Sequence, residues 1–514
     1  GSSPWRYAGM NMYWLGLDEN CSPPQTGKCL AYPSKFRIED ALTTAAALGA
    51  NVVRAHTLGV STGNEDSFQQ EAGSTTFNTA ALDSVDYAVY QASLRGIRFI
   101  VPLTDNYNYY HGGYHDFTDY QASKASHAPT CNPFPKRVVK PDDGCRSFFD
   151  HDPANTHGLG NATIAGFKAY ISTLLNHKNQ YTGNLLKDEP AILAWETGNE
   201  LFIKGEPFTN WTSEIATFMK HEVGIKQLVM DGRANVGAGV DDEALSTESD
   251  VDIFTDHYYK AYDAATSTLE KDAQITAVQY GKVFVVGEYG PKGAKSLEDL
   301  KGFTSKVETL TGSNADTGDS FPLVAGDTWW SFFGHGDNYG FVPHPDGYTL
   351  HFPGDDDTDM ATIMALRDHA NTMRGSGTSG DVYSGSDTPP PTIAPVINSH
   401  DVSQAGQDTV YWRGATLANK YDVQYLENAS DPDSWKQLCS ACVTDHDMPY
   451  TISLNDGPVC TGASSSFVIR ARGLSVQGQA GPWSNATNIC SLPKLDQSAV
   501  LVAQDDGFVR RPLF

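Results

Sequence analysis

The chain has 514 residues, too many for one ordinary core, so at least two domains are expected. Hydrophobic residues make up 40%, enough for packed globular structure, while the formal net charge is -26. A surface that acidic repels phosphate backbones, which argues against nucleic acid as a partner, and no run of about 18 apolar residues is present to span a membrane.

In chain order, Tyr7-Ala8-Gly9-Met10-Asn11-Met12-Tyr13-Trp14 reads as a first strand that leaves aromatics, Trp14 among them, at its end. From Lys35 to Leu48, apolar residues recur at helical spacing and Gly49 stops the helix. Asn51-Val52-Val53-Arg54 is a strand, Ala80 to Arg95 a helix, and Ile97 to Pro102 a third strand. A helix over Ile164 to His177 precedes strand four, Ala191 to Trp195, and a helix near Ser213 to Glu222 follows it. Lys226 to Met230 and Val251 to His257 are strands five and six. A helix over Ala264 to Val278, strand seven at Val283 to Glu288, a helix at Leu297 to Leu310, strand eight at Leu323 to Trp330 and a last helix near Met360 to Met373 complete the series. Eight strands, seven of them followed by a helix, over residues 1–373 predict an α/β fold, a TIM (β/α)8 barrel. An open doubly wound sheet would want a Gly-rich phosphate loop after its first strand, and none is seen.

Composition shifts after Arg374. Residues 374–392 are rich in Gly, Ser and Pro and read as a linker. Beyond it, residues 393–514 carry short alternating strands, such as Lys420 to Tyr425 and Ser466 to Arg472, the pattern of a small all-β sandwich. The hairpin from Val468 to Gly473 with Ala480-Gly481-Pro482-Trp483-Ser484 resembles the closing hairpin of fibronectin type III domains, which predicts a structural role for this domain.

The eight cysteines are Cys21, Cys29, Cys131, Cys145, Cys439, Cys442, Cys460 and Cys490. Pairs Cys21–Cys29 and Cys131–Cys145 are expected to clip local loops; the last four allow three pairings. With five N-x-Ser/Thr sequons, at Asn20, Asn161, Asn210, Asn428 and Asn485, this predicts a secreted, extracellular, glycosylated protein with disulfides. The start, Gly1-Ser2-Ser3-Pro4, reads as a processed or engineered terminus.

Two carboxylates stand out. Glu200 closes Ala194-Trp195-Glu196-Thr197-Gly198-Asn199-Glu200 after strand four, and Glu288 ends strand seven. Two acids at strand C-termini are the layout that glycoside hydrolysis needs: one protonates the leaving oxygen, the other attacks the anomeric carbon. Glu200 is the candidate acid/base and Glu288 the candidate nucleophile. Asn199 could bind the sugar 2-hydroxyl, Arg54 keep Glu288 ionised, His257 and Tyr259 orient it, and Trp330 floor the pocket. Singly, each has a blander reading, as an ion pair, a core histidine or a packing ring. Asp355-Asp356-Asp357 with Asp359 reads as a helix N-terminal charge cluster rather than a calcium site, and His335, His344 and His351 as loop histidines of little consequence.

This constellation resembles glycoside hydrolase family 5. Gly9 to Trp14, the Gly112-Gly113 loop, Gly326 to Phe332 and Asp346-Gly347-Tyr348-Thr349-Leu350 are similar to its fungal and plant β-1,4-mannanase branch. The resemblance implies a retaining hydrolase of β-mannan or manno-oligosaccharides, endo- or exo-acting, needing no metal or other cofactor. Its partner would be a polysaccharide or oligosaccharide, and a monomer is expected. Another β-linked glycan, or a non-catalytic sugar-binding role, is the alternative. The chain departs from the branch where His56 stands for a Trp and where Tyr107 or Tyr109 replaces another. Both positions line the glycone side in the family, so His56 and Tyr109 join the expected substrate contacts with Trp14.

Overall fold

A computed structural model describes residues 4–495, apart from 20–29, 108, 126–143, 202–205, 234–239, 241, 260–261, 315–316, 345, 376–388, 403–405, 453–457 and 462–464. The Cys21–Cys29 pair, Cys131, the sequon at Asn20 and most of the expected linker therefore lie outside the described residues.

Eight parallel strands close into a barrel: β1 (Tyr7–Asn11), β2 (Val52–Arg54), β3 (Arg98–Pro102), β4 (Ile192–Glu196), β5 (Leu228–Met230), β6 (Ile253–Tyr258), β7 (Val283–Tyr289) and β8 (Val324–Trp329), with β8 pairing β1. Strands buried on both faces need apolar residues at nearly every position, which is why these segments lack a clean alternation. Inside, Tyr7, Val52, Ile100, Ala194, Met230, Ile253 and Val285 pack into one cluster, so the barrel is filled rather than hollow.

The helices α1 (Lys35–Ala47), α2 (Leu82–Leu94), α3 (Gly160–Leu175), α4 (Glu206–Thr217), α5 (Asp242–Thr247), α6 (Tyr262–Gln274), α7 (Leu297–Thr309) and α8 (Asp357–Arg374) follow the eight strands in turn. In α1 the Ser34 side chain accepts from Arg37 N, capping the first turn. Ile38, Ala41, Leu42 and Ala45 then bury one face, worth about 1.5–3 kcal/mol for each large residue. Sequence periodicity started α4 seven residues too late and missed α5, whose six residues are too few to show a period. An added helix, Tyr114–Lys124, follows β3. The aspartates read as a charge cluster serve α8: Asp356 caps it by accepting from Asp359 N, and Asp359 pairs with Lys292.

After residue 388 come β9 (Val396–Val402), β10 (Asp408–Arg413), β11 (Lys420–Leu426), β12 (Trp435–Val443), β13 (Tyr450–Thr451), β14 (Val468–Leu474) and β15 (Thr487–Asn488). They form a three-stranded and a four-stranded antiparallel sheet around Val410, Trp412, Tyr421, Val423, Ile469 and Ala471. Arg470 and Arg472 both stack on Trp483, and Arg472 pairs with Asp422. The pairing left open by sequence is Cys439–Cys442 and Cys460–Cys490.

Candidate active site

The two candidate carboxylates converge at the C-terminal mouth of the barrel. One oxygen of each, and one nitrogen of His257, lie within 4.8 Å of one another. An approach of single oxygens that close favours the spacing of about 5–5.5 Å between carboxyl groups needed for direct attack over the gap of about 6.5–9.5 Å that an inverting site leaves for water. Glu288 is delivered by β7 and is 4% exposed. Glu200, 8% exposed, sits just beyond β4 with φ +49°, in the left-handed region.

Arg54 at the tip of β2 is fully buried and organises the floor. Its Nη1 donates to Glu288 Oε1 at 2.7 Å, Nη2 to Asn199 Oδ1 at 2.8 Å, and Nε and Nη2 to the two oxygens of Glu196 at 2.8 and 2.9 Å. Burial opposes its charge, but the surrounding carboxylates more than offset that and raise its pKa. On the other oxygen of Glu288, Tyr259 donates its hydroxyl at 2.6 Å and His257 Nδ1 stands 3.4 Å away. The same Nδ1 meets Glu200 Oε1 at 2.7 Å, and Tyr107 donates to Glu200 Oε2 at 2.7 Å. Gly287 makes room for this: a Cβ there would stand 2.7 Å from His257 Nε2.

Burial alone would raise the Glu200 carboxyl, yet the hydrogen bonds from His257 and Tyr107 and the Arg54 charge outweigh it and hold it below the ordinary glutamate range. For His257 burial works against the charged ring, and Glu288 and Glu200 overcome it, holding its pKa above the usual value. A general acid is commonly raised by its pocket. Here the proton rests instead on the imidazole bonded to that acid. Arg54, already bonded to Glu288, opposes a second cation among Glu200, His257 and Glu288, although the three have ligand character.

Trp330 lies half-buried beside these groups, its Nε1 donating to Asp346 Oδ2 at 2.7 Å. Tyr13 stacks on it at 5.3 Å with 6° between planes, and His56 meets it edge-on at 5.6 Å. His56 is buried, and that burial with the Arg54 charge pushes its pKa well below the usual value, so the ring is neutral. His111, 6.3 Å from His56, is likewise pushed down by burial to about 4.

One expectation fails. Trp14 cannot touch a sugar: it is fully buried, its Nε1 donates to Phe332 O, and its ring lies against Phe333. Of the two tyrosines after β3, Tyr107 bonds Glu200, and the part-buried Tyr109 stacks on it at 5.3 Å. Sequence reasoning missed Glu196, Asn11, Tyr13 and Asp346. Asn11 accepts from Arg54 Nη1 at 3.2 Å. Glu196 was legible as a second acid in the same stretch as Glu200, and Asp346 as the first residue of a motif already singled out.

With this geometry in view, comparison with known proteins is decisive. Residues 1–282 match a family model described as GH family 5 beta-mannosidase-like. The chain belongs to glycoside hydrolase family 5. Mannan endo-1,4-beta-mannosidase 1 of Oryza sativa subsp. japonica is 28% identical over 223 residues, covering 42% of this chain and 43% of the relative. The family 5 chain spans about half the length of the curated relatives it matches first. Among solved structures, an endo-beta-1,4-mannanase from Thermotoga petrophila superposes with TM-score 0.53 at 17% identity, over 94% of this chain and 97% of that one. A glycoside hydrolase family 5 mannosidase from Rhizomucor miehei gives TM-score 0.53 at 17% identity, over 72% and 94%. These show that the family 5 barrel here has their fold.

Proposed function

We propose that this protein is a retaining hydrolase of β-linked mannosides that removes mannose units from chain ends. The observation that carries the mechanism is the approach of Glu200 and Glu288 to within 4.8 Å around one histidine. Glu288 attacks the anomeric carbon as Glu200, taking back the proton held on His257, passes it to the departing glycosidic oxygen, forming a glycosyl ester on Glu288 and releasing the leaving sugar. Glu200, now a carboxylate, takes a proton from water, and the hydroxide so formed cleaves the ester and restores both groups. Arg54 and Tyr259 hold the charge on Glu288, and Asn199, fixed by Arg54, faces the 2-hydroxyl.

Action at chain ends is supported by the surroundings of Trp330. Tyr13 covers one of its faces, and the neighbouring rings of His56, Tyr110 and His344 close around Tyr13. With Tyr13 on one face and His56 edge-on to the ring, the indole has room for no more than one sugar. The match to a mannosidase-like family model supports the same reading. Incubation with mannohexaose, cellohexaose and p-nitrophenyl β-mannoside tests it. Mannose should be the main early product; mid-sized fragments would mean cleavage within chains, and turnover of cellohexaose alone another sugar.

The charge pattern also fixes the pH profile. Activity needs one proton on the Glu200–His257 pair and none on Glu288. A second proton enters below the ordinary glutamate range of about 4.3, because Glu200 is lowered, and the first leaves above the ordinary histidine value of about 6.5, because His257 is raised. We therefore expect a bell-shaped kcat/KM centred on mildly acidic pH. A rate still climbing at alkaline pH would contradict the pair.

Secretion is part of the proposal. It is supported by the two described disulfides and by exposure of the sequon residues Asn161, Asn210, Asn428 and Asn485. No helix among the described residues is long and apolar enough to cross a membrane.

A further inference from the structure

We propose that the sandwich is a working part of the sugar site: by gripping the loop between β8 and α8, chiefly through Asp445, it positions the Trp330 platform. The proposal rests on the reading of Trp330 as that platform.

The grip centres on His335, which is 3% exposed and lies in that loop. Its Nδ1 meets Asp40 Oδ1 of α1 at 2.9 Å, and its backbone N–H donates to Asp40 Oδ2 at 2.9 Å. On the opposite side Nε2 meets Asp445 Oδ2, beyond β12 of the sandwich, at 3.1 Å. Tyr421 of β11 donates to the same Asp445 oxygen at 2.6 Å, and the Thr416 hydroxyl bonds Asp40. Burial works against a charged ring, but the two carboxylates drive the His335 pKa up to about 10, so both nitrogens donate. The fit is close: a Cβ on Gly414 would stand 2.3 Å from the imidazole. Taking a charged cluster out of water carries a desolvation penalty, so a plain apolar seam would have served stability as well or better. What the charged triad adds is direction.

The loop transmits that direction. The Phe341 ring stacks between His335 and His351, at 4.8 Å from each. His351 Nε2 meets Val342 O at 3.0 Å, and Val342 N donates to Gly334 O at 3.1 Å. Leu350 N donates to Ser331 O at 2.9 Å, next to Trp330. Asp346, whose Oδ2 holds the Trp330 indole, accepts from Tyr348 N and Thr349 N on its other oxygen. Two more sandwich residues hold the loop's outer edge: Asn398 Nδ2 donates to Asn338 O at 2.6 Å, and Tyr411 meets Tyr339 edge-on at 5.1 Å. None of these loop and sandwich residues is among the hydrogen-bond partners of Glu200 or Glu288.

Two variants of the full chain test this: Asp445→Asn, and the pair Asn398→Ala with Tyr411→Ala, which leaves the buried charges intact. Hydrogen exchange of residues 333–351 and the split of KM from kcat on p-nitrophenyl β-mannoside, or on whichever glycoside the wild type hydrolyses, are the readouts. Both variants should speed exchange in the loop while the barrel strands stay protected. Both should also lower kcat/KM about tenfold, mainly through KM, as expected for a platform displaced by a fraction of an ångström. Unchanged loop exchange would overturn the grip. Faster exchange with unchanged KM would reduce the sandwich to a stabiliser and overturn the proposal equally. If Asp445→Asn does not fold, the paired variant decides alone. A wild type inactive on every mannoside refutes the function reading instead, and loop exchange still judges the grip.

Discussion

Glu288→Gln should abolish turnover, lowering kcat by at least about 10⁴-fold, about 5.5 kcal/mol of barrier, while the melting temperature moves by only a few degrees. The amide keeps the shape, its one oxygen accepting from Arg54 while its NH2 donates to the turned Tyr259 hydroxyl, but it cannot form the glycosyl ester. Stability should hold because Arg54 retains its bidentate partner Glu196. Glu200→Gln should behave differently. With an ordinary sugar leaving group it should cost about 10²–10⁴-fold, the usual worth of a general acid. With a nitrophenolate leaving group, which departs without help, ester formation should survive and its hydrolysis become limiting, giving a burst of nitrophenolate followed by a slow phase that azide speeds by attacking the ester in place of water. Full activity in either variant would remove that residue from its role. A Glu288→Gln enzyme that still shows the burst would exchange the two assignments.

Arg54→Met carries the second large effect, and it joins stability to activity. The guanidinium is the described cation that contacts Glu196 and Glu288 together, and both acids are buried. Removing it strands two carboxylates in a medium that penalises their charge, a loss of about 3–5 kcal/mol for a broken buried pair. Burial already raises Glu196 even with Arg54 present, so its first response would be to take up a proton. Asn199 would lose the donor that fixes its side chain, and Glu288 its main counter-charge. We expect a marked fall in melting temperature together with at least about a hundredfold loss of kcat/KM. Arg54→Lys should lie between, because a single ammonium cannot reproduce the planar fork that reaches Glu196, Asn199 and Glu288 at once. A methionine variant that melts with the wild type would show that the ion pairs hold nothing together.

The sequence made the barrel legible because each strand is a short apolar run and each long helix carries a period. Glu200 and Glu288 were legible because strand ends are where such barrels place their chemistry. Other features depended on approach in space. Tyr13 and Trp330 are far apart in sequence, and nothing in either neighbourhood says that their rings stack. Trp14 failed for the same reason: next to Tyr13 in a strand-like run it read as another platform, but the chain turns and sends it under Phe333. His335 read as an idle loop histidine because its two acids come from α1 and from beyond β12. The lowered Glu200 carboxyl was illegible too, since it depends on His257 and Tyr107 arriving from other strands.

Glu200 adopts a left-handed backbone that costs an L-residue about 1–2 kcal/mol relative to glycine. A glycine at this position would be the more relaxed choice, and it would be inert. Natural drift toward a sturdier barrel is therefore blocked here by the reaction itself, and robustness has to accumulate elsewhere in the chain. Anyone engineering this scaffold for heat tolerance should leave that one awkward bend alone.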